Sequence, residues 1–108
     1  MPRTTTSVIL QLIRPRLREA FGDRLRGVVL FGSEARGEAA PDSDIDLFVL
    51  LEGPIDLGKD IATIVGALYP VQLEIADRPI HALPAQVEDY EAGTFAVYHA
   101  AKCEGIFL

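Results

Sequence analysis

The stretch that decides the fold reads Leu30-Phe31-Gly32-Ser33-Glu34-Ala35-Arg36-Gly37 and resumes at Pro41-Asp42-Ser43-Asp44-Ile45-Asp46-Leu47. The run leading into it, Gly27-Val28-Val29-Leu30-Phe31, is short, apolar and β-rich, which predicts a buried strand. Gly32-Ser33 ends that strand, and Ser33 can cap a short helical turn through Glu34, Ala35 and Arg36 that Gly37 closes. A strand running into a Gly-Ser turn and a helix start presents unpaired backbone N–H groups and the positive end of a helix, a seat for phosphate. Glycine lets the backbone approach a ligand closely, and the Ser33 hydroxyl adds a donor.

The second half of the stretch predicts a strand over Ser43 to Leu51, after a turn at Pro41-Asp42. Its near half alternates, so Asp44 and Asp46 share one face while Ile45 and Leu47 share the other. Two residues along a strand place their Cα atoms about 6.6 Å apart. Carboxylates held that close on a rigid element repel unless a cation lies between them. Hard cations such as Mg²⁺ take oxygen ligands and are commonly held by one or two carboxylates together with substrate phosphates. The far half, Phe48-Val49-Leu50-Leu51, is apolar on both faces and therefore belongs inside a sheet.

Outward from this centre, Ile9, Ile13, Leu17 and Phe21 recur at helical spacing after the N-cap candidates Thr5, Thr6 and Ser7, and Gly22 stops the helix. Pro15 within it removes the bond to Gln11, which predicts a kink or a late start. Beyond Gly53-Pro54, Asp56 caps a second helix whose inward stripe is Leu57, Ile61, Ile64, Val65 and Leu68. Val71, Leu73 and Ile75 then alternate with Gln72, Glu74 and Ala76, predicting a third strand, and Pro79 and Pro84 bracket a loop. Ala85 to Cys103 reads as mostly helical, with a break at Gly93, a new cap at Thr94 and a stop at Gly105. The expected order is αβαβαβα, an α/β (α+β) domain with a small mixed sheet of three or more strands covered by helices.

The 108 residues suit one domain over 1–108 with a single core. Hydrophobic residues at 49% and charged residues at 24% exclude a disordered chain. No apolar run nears the roughly 20 residues of a membrane span, and the N-terminus lacks a signal-peptide pattern. The single cysteine, Cys103, forms no internal disulfide and no cysteine-built zinc site, in keeping with a cytoplasmic location. A formal net charge of −6 argues against general nucleic-acid binding. The charge is asymmetric: residues 1–36 carry seven arginines against three acids, net +4, and residues 37–108 carry three basic residues against 13 acids, net −10. An arginine-bearing front third can meet polyphosphate, although Arg14 and Arg18, four apart on a helix, also suit a solvated face.

The segment from Leu30 to Leu47, with Gly32-Ser33 ten residues ahead of Asp44-Ile45-Asp46, closely resembles the signature of the minimal nucleotidyltransferases, a branch of the DNA polymerase β superfamily. The resemblance spans nearly the whole chain, from the N-terminal helix to the Glu104-Gly105-Ile106 ending. It implies a polymerase-β-like fold in which Gly32 and Ser33 hold nucleotide phosphates and Asp44 and Asp46 hold Mg²⁺. Arg36 matches the family's Ala-Arg-Gly continuation and is expected at phosphate. The family's third carboxylate, on a neighbouring strand, helps activate the attacking hydroxyl. Its apolar-Asp-apolar pattern is not clean in this chain: Gln72 occupies one place, Glu74 faces the same way two residues on, and Asp77 follows at the strand's end. Glu74 is the expected residue. The implied reaction moves AMP from ATP to a hydroxyl. Because relatives of this size are commonly encoded beside a helical HEPN-type toxin, the resemblance implies an antitoxin that adenylylates a toxin tyrosine, working in a hetero-oligomer. The competing expectations are a binding module that neutralises its partner by contact, and a stand-alone enzyme acting on a small hydroxyl compound.

Little else carries chemistry. His81, beside Pro79, and His99, in the last helix, are too far apart in sequence to suggest a ligand pair. Tyr90, Phe95, Tyr98 and Phe107 suit packing of the C-terminal helix, and Ile106-Phe107-Leu108 reads as an apolar patch suited to an interface.

Overall fold

Alternation along two adjacent strands sorts the apolar residues into two layers, one on each side of a sheet. The computed structural model describes residues 6–32, 44–74, 79–93 and 95–108. Its elements are α1 (Thr6–Phe21), a 3₁₀ turn (Gly22–Arg24), β1 (Leu25–Phe31), β2 (Ile45–Leu51), α2 (Leu57–Glu74), β3 (Ile80–Gln86), α3 (Val87–Ala92), α4 (Ala96–Glu104) and β4 (Ile106–Phe107). The four strands form one mixed sheet in the order β3-β2-β1-β4, antiparallel at β1–β2 and β1–β4 and parallel at β2–β3. β2 is internal, as its doubly apolar far half requires. The α/β class with a small mixed sheet under helices is thus the observed one.

On one face, Ile45, Leu47, Val49 and Leu51 of β2 and Val28 and Leu30 of β1 meet Ile9, Ile13 and Leu17 of α1 and Ile64, Leu68 and Val71 of α2. Leu25 joins this layer despite its odd number. Leu25 pairs with Leu51 and Gly27 with Leu50, so β1 carries an extra residue at Arg26 that resets the alternation. On the opposite face, Val29, Phe48, Leu50 and Ala85 pack under Tyr90 of α3 and Ala101 of α4.

Two predicted elements move. α2 continues past Pro70 to Glu74, so Val71–Glu74, the start of the expected third strand, is helix. Val71 falls on the inward stripe of Ile64 and Leu68, at helical spacing. Pro70 leaves the carbonyl of Gly66 without its helical donor, at a residue that is exposed on the helix surface. Pro15 is likewise carried within α1, which starts at Thr6 rather than late. The third strand is β3, and it takes in Pro84, which the sequence placed at a loop boundary. β3 lies at the sheet edge, where a proline is tolerated. The apolar C-terminus forms β4 against β1, with Ile106 and Phe107 still exposed. The expected cap at Thr94 and the helical turn at Glu34–Arg36 lie outside the described residues.

The open ends of β1 and β2 are tied to α2 through one buried carboxylate. Asp60, 2% exposed, accepts from Arg24 Nη1 at 3.0 Å and Nη2 at 3.2 Å and from the Asp56 backbone N–H at 3.1 Å. Arg24 also donates to the backbone oxygens of Glu52 and Pro54. Asp56 caps α2 as expected, its Oδ1 accepting from Lys59 N–H at 3.2 Å.

Candidate functional site

The alternation that buries Ile45 and Leu47 against the helices sends Asp46 to the opposite face, the face on which Phe48 and Leu50 are covered by α3 and α4. Asp46 keeps 27% of its side-chain surface in solvent, and Asp44, just ahead of β2, is exposed. Each neighbour of Asp46 is set by strand register. Phe31 lies opposite on β1, and His81 lies opposite on β3 in the parallel ladder. Phe31 stacks on Phe48 with ring centroids 4.2 Å apart and planes 8° apart, and Tyr98 meets Phe48 edge-on at 5.1 Å. An aromatic floor therefore fixes the β1–β2 side of the site. Burial pushes the Tyr90 hydroxyl pKa up, and burial with the nearby Asp89 does the same for Tyr98, so both are neutral donors at ordinary pH.

Gly32, directly after β1, has φ +74°. A Cβ there would stand 2.6 Å from Asp46 Oδ2, so only glycine lets the chain turn this close to the carboxylate. His81 Nδ1 lies 3.6 Å from Asp46 Oδ1. Asp44, Asp46 and His81 each place one donor atom within 4.8 Å of the others, the metal-type cluster found among the described residues. A cradle that a Cβ would fill, two carboxylates and one imidazole form a donor set that fits a divalent cation.

Of the residues expected from sequence, the structure brings Gly32, Asp44 and Asp46 together. Ser33, Arg36 and Asp77 lie outside the described residues. Glu74 is the last residue of α2, exposed and not on a strand, and it is not in the cluster with Asp44 and Asp46. The strand neighbour of Asp46 is instead His81, which sequence reasoning set aside. The signal for it was the alternation of Ile80 and Ala82 with His81 and Leu83, which puts the imidazole on the Asp46 face. Four arginines of α1, the 3₁₀ turn and β1 are engaged elsewhere: Arg14 donates to the Leu108 backbone oxygen, Arg18 pairs with Asp23, Arg24 with Asp60 and Arg26 with Glu52. None of these four contacts involves the Asp44–Asp46 end of β2.

The fold is thus a mixed sheet with helices on both faces, with paired aspartates at the entry to an internal strand. The sequence pattern of the nucleotidyltransferase domain family (NTP_transf_2) matches residues 10–92, and the chain belongs to that family. A Sulfolobus solfataricus protein assigned to the nucleotidyltransferases, known from its crystal structure, superposes with a TM-score of 0.53 at 15% identity, over 99% of this chain and 87% of that one. That likeness is one of fold. No protein of curated function matches the chain significantly. Among the described residues no helix is long and apolar enough to cross a membrane.

Proposed function

We propose that this nucleotidyltransferase domain moves AMP from ATP to a hydroxyl group on a partner protein, a tyrosine of a HEPN-type toxin, and so acts as that toxin's antitoxin. The observation that carries the transfer reading is the seating of Asp46 against Gly32, with Asp44 beside it, at the mouth of a nucleotidyltransferase sheet. In the reaction the acceptor oxygen forms a bond to the α-phosphorus of ATP, the bond from that phosphorus to the bridging oxygen breaks, and pyrophosphate leaves while the hydroxyl proton passes to solvent or a nearby base. A divalent cation, Mg²⁺ in the family, would supply the positive charge that offsets the charge developing on the phosphate oxygens. Asp44 and Asp46 hold it, Gly32 keeps the adjoining backbone close, and Ser33 and Arg36 position the phosphates. Phe31, the partner of Asp46 across β1 and β2, is stacked on Phe48, which supports the strand ends that carry the site. The location that suits this role is the cytoplasm.

A second reading follows from one observation: the strand neighbour of Asp46 is His81 rather than a carboxylate. Without a carboxylate there to take the acceptor proton, transfer slows and neutralisation by contact gains weight. The intact mass of the purified partner, after incubation with this protein, ATP and Mg²⁺ or Mn²⁺, separates the two. A gain of whole AMP units that Asp44→Asn abolishes supports transfer. An unchanged mass with a stable complex, equally stable for Asp44→Asn, supports the binding module.

A further inference from the structure

The parallel register of β2 and β3 puts an imidazole where it can share an ion with two carboxylates. His81 Nδ1 and Asp46 Oδ1 are 3.6 Å apart. That is too long for a direct hydrogen bond, which closes by about 3.2 Å. It suits two ligands of one ion: bonds of about 2.1 Å give ligand–ligand separations of roughly 3.4 Å in a tetrahedral site and 3.0 Å for adjacent octahedral positions. The alternation that sends Ile80 and Ala82 to the α1–α2 layer leaves His81 on the carboxylate face, with 59% of its side chain in solvent and free to rotate toward the ion.

We infer that His81 is the third protein ligand of a divalent cation held by Asp44 and Asp46, and that this ligand set favours Mn²⁺ or Co²⁺ over Mg²⁺. The inference rests on reading Asp44 and Asp46 as a cation site. Two carboxylates with one imidazole carry one negative charge fewer than three carboxylates. Mg²⁺, held mainly by oxygen charge, loses more from that exchange than a transition ion does. Imidazole nitrogen in turn gives transition ions a bond that Mg²⁺ does not match, following the order Mn²⁺ below Co²⁺. His81 therefore sets which metal the site takes, while the two aspartates set where it sits.

The test is Co²⁺ binding to the full chain, followed by its visible absorption, with Mg²⁺ affinity from competition. All proteins carry His99→Ala, which removes the His99–Cys103 pair, 4.0 Å apart on α4, as a competing site. His81→Ala should weaken Co²⁺ binding about 10- to 100-fold, the usual scale for disturbing a metal's coordination, and change Mg²⁺ affinity by less than about threefold. His81→Asp should tighten Mg²⁺ while losing the Co²⁺ preference. Unchanged Co²⁺ affinity in His81→Ala, with Asp44→Asn and Asp46→Asn abolishing binding, overturns the role of His81 and leaves the aspartate site standing. Binding that none of the three substitutions weakens overturns the aspartate site as well. Thermal unfolding of each variant verifies that a loss of binding is not a loss of fold.

Discussion

Gly32 turns at φ +74° so close to Asp46 that a single methyl group at its Cα would stand 2.6 Å from the carboxylate oxygen Oδ2. Gly32 directly follows Phe31, the partner of Asp46 across β1 and β2, and is 14 positions from Asp46 in the chain. Gly32→Ala must therefore do two things at once. The left-handed backbone costs about 1–2 kcal/mol for a residue with a Cβ, which lowers Tm by roughly 4–8 °C for each kcal/mol in a domain of this size. The methyl group also displaces Asp46, so nucleotidyl transfer should fall by more than about tenfold. Thermal unfolding and initial transfer rates under identical conditions check both effects. Wild-type activity in Gly32→Ala would show that the close approach has no part in the site.

Asp44→Asn and Asp46→Asn keep side-chain size and remove one charge each. Neither residue belongs to the buried cores, so Tm should stay within about 4 °C of wild type, as for surface changes worth about 0.5 kcal/mol. Transfer should drop by about 10²- to 10³-fold, the scale of losing one charge-stabilising group at a reacting centre. Single-turnover transfer of a labelled nucleotide, read beside an unfolding curve, gives both numbers.

The Arg24–Asp60 pair predicts an acid limit to stability. The Arg24 guanidinium, through its hydrogen bonds, holds the Asp60 carboxyl below its ordinary value of 3.8, against the opposing effect of burial. A carboxylate with a depressed folded-state pKa stabilises fully above the unfolded value and loses that contribution as pH falls through the folded one. Asp60→Asn should cost about 2–3 kcal/mol at neutral pH, less than a fully buried pair because Arg24 is partly in solvent. The gap between wild type and variant should hold from pH 5 to 8 and narrow below about pH 4. Urea unfolding at a series of pH values measures it, and a gap that widened in acid would contradict the assignment.

Phe48 lies 3% exposed between the stacked ring of Phe31 and the edge of Tyr98. Phe48→Leu keeps an apolar side chain but loses both ring contacts, at about 1–2 kcal/mol. Because Phe31 faces Asp46 across the strands, transfer should fall further than the stability loss alone explains. Rates measured where both proteins remain fully folded separate the two effects.

The parts of the fold legible in the sequence are those where one period dominates. Asp44 and Asp46 alternate with Ile45 and Leu47, Asp56 caps α2, and Gly22 and Gly93 stop their helices with positive φ, all as the residues predict. The misreading begins at Pro70. Val71, Leu73 and Ile75 satisfy a strand period, yet Val71 also completes the helical stripe of Ile64 and Leu68, and packing against the sheet favours the helix. That displaced the third strand by several residues, took Glu74 for the neighbour of Asp46 and passed over His81. Pro84 deepened the error, since a proline reads as a loop unless its strand is known to be an edge.

The pairing of Asp46 with His81 has a consequence for how this chain can change. Ile80 and Ala82 pack with the α1–α2 layer while His81 and Leu83 face the other way. A shift of β3 by one position along β2 would bury the imidazole among aliphatic side chains and expose an isoleucine where the cation site stands. Hydrophobic order and site composition are thus written in one variable, the register. A variant that keeps its fold keeps its donor set aligned, so selection for a folded chain already preserves the geometry of the site, and new chemistry there must come from replacing side chains in place rather than from lengthening or shortening the strands.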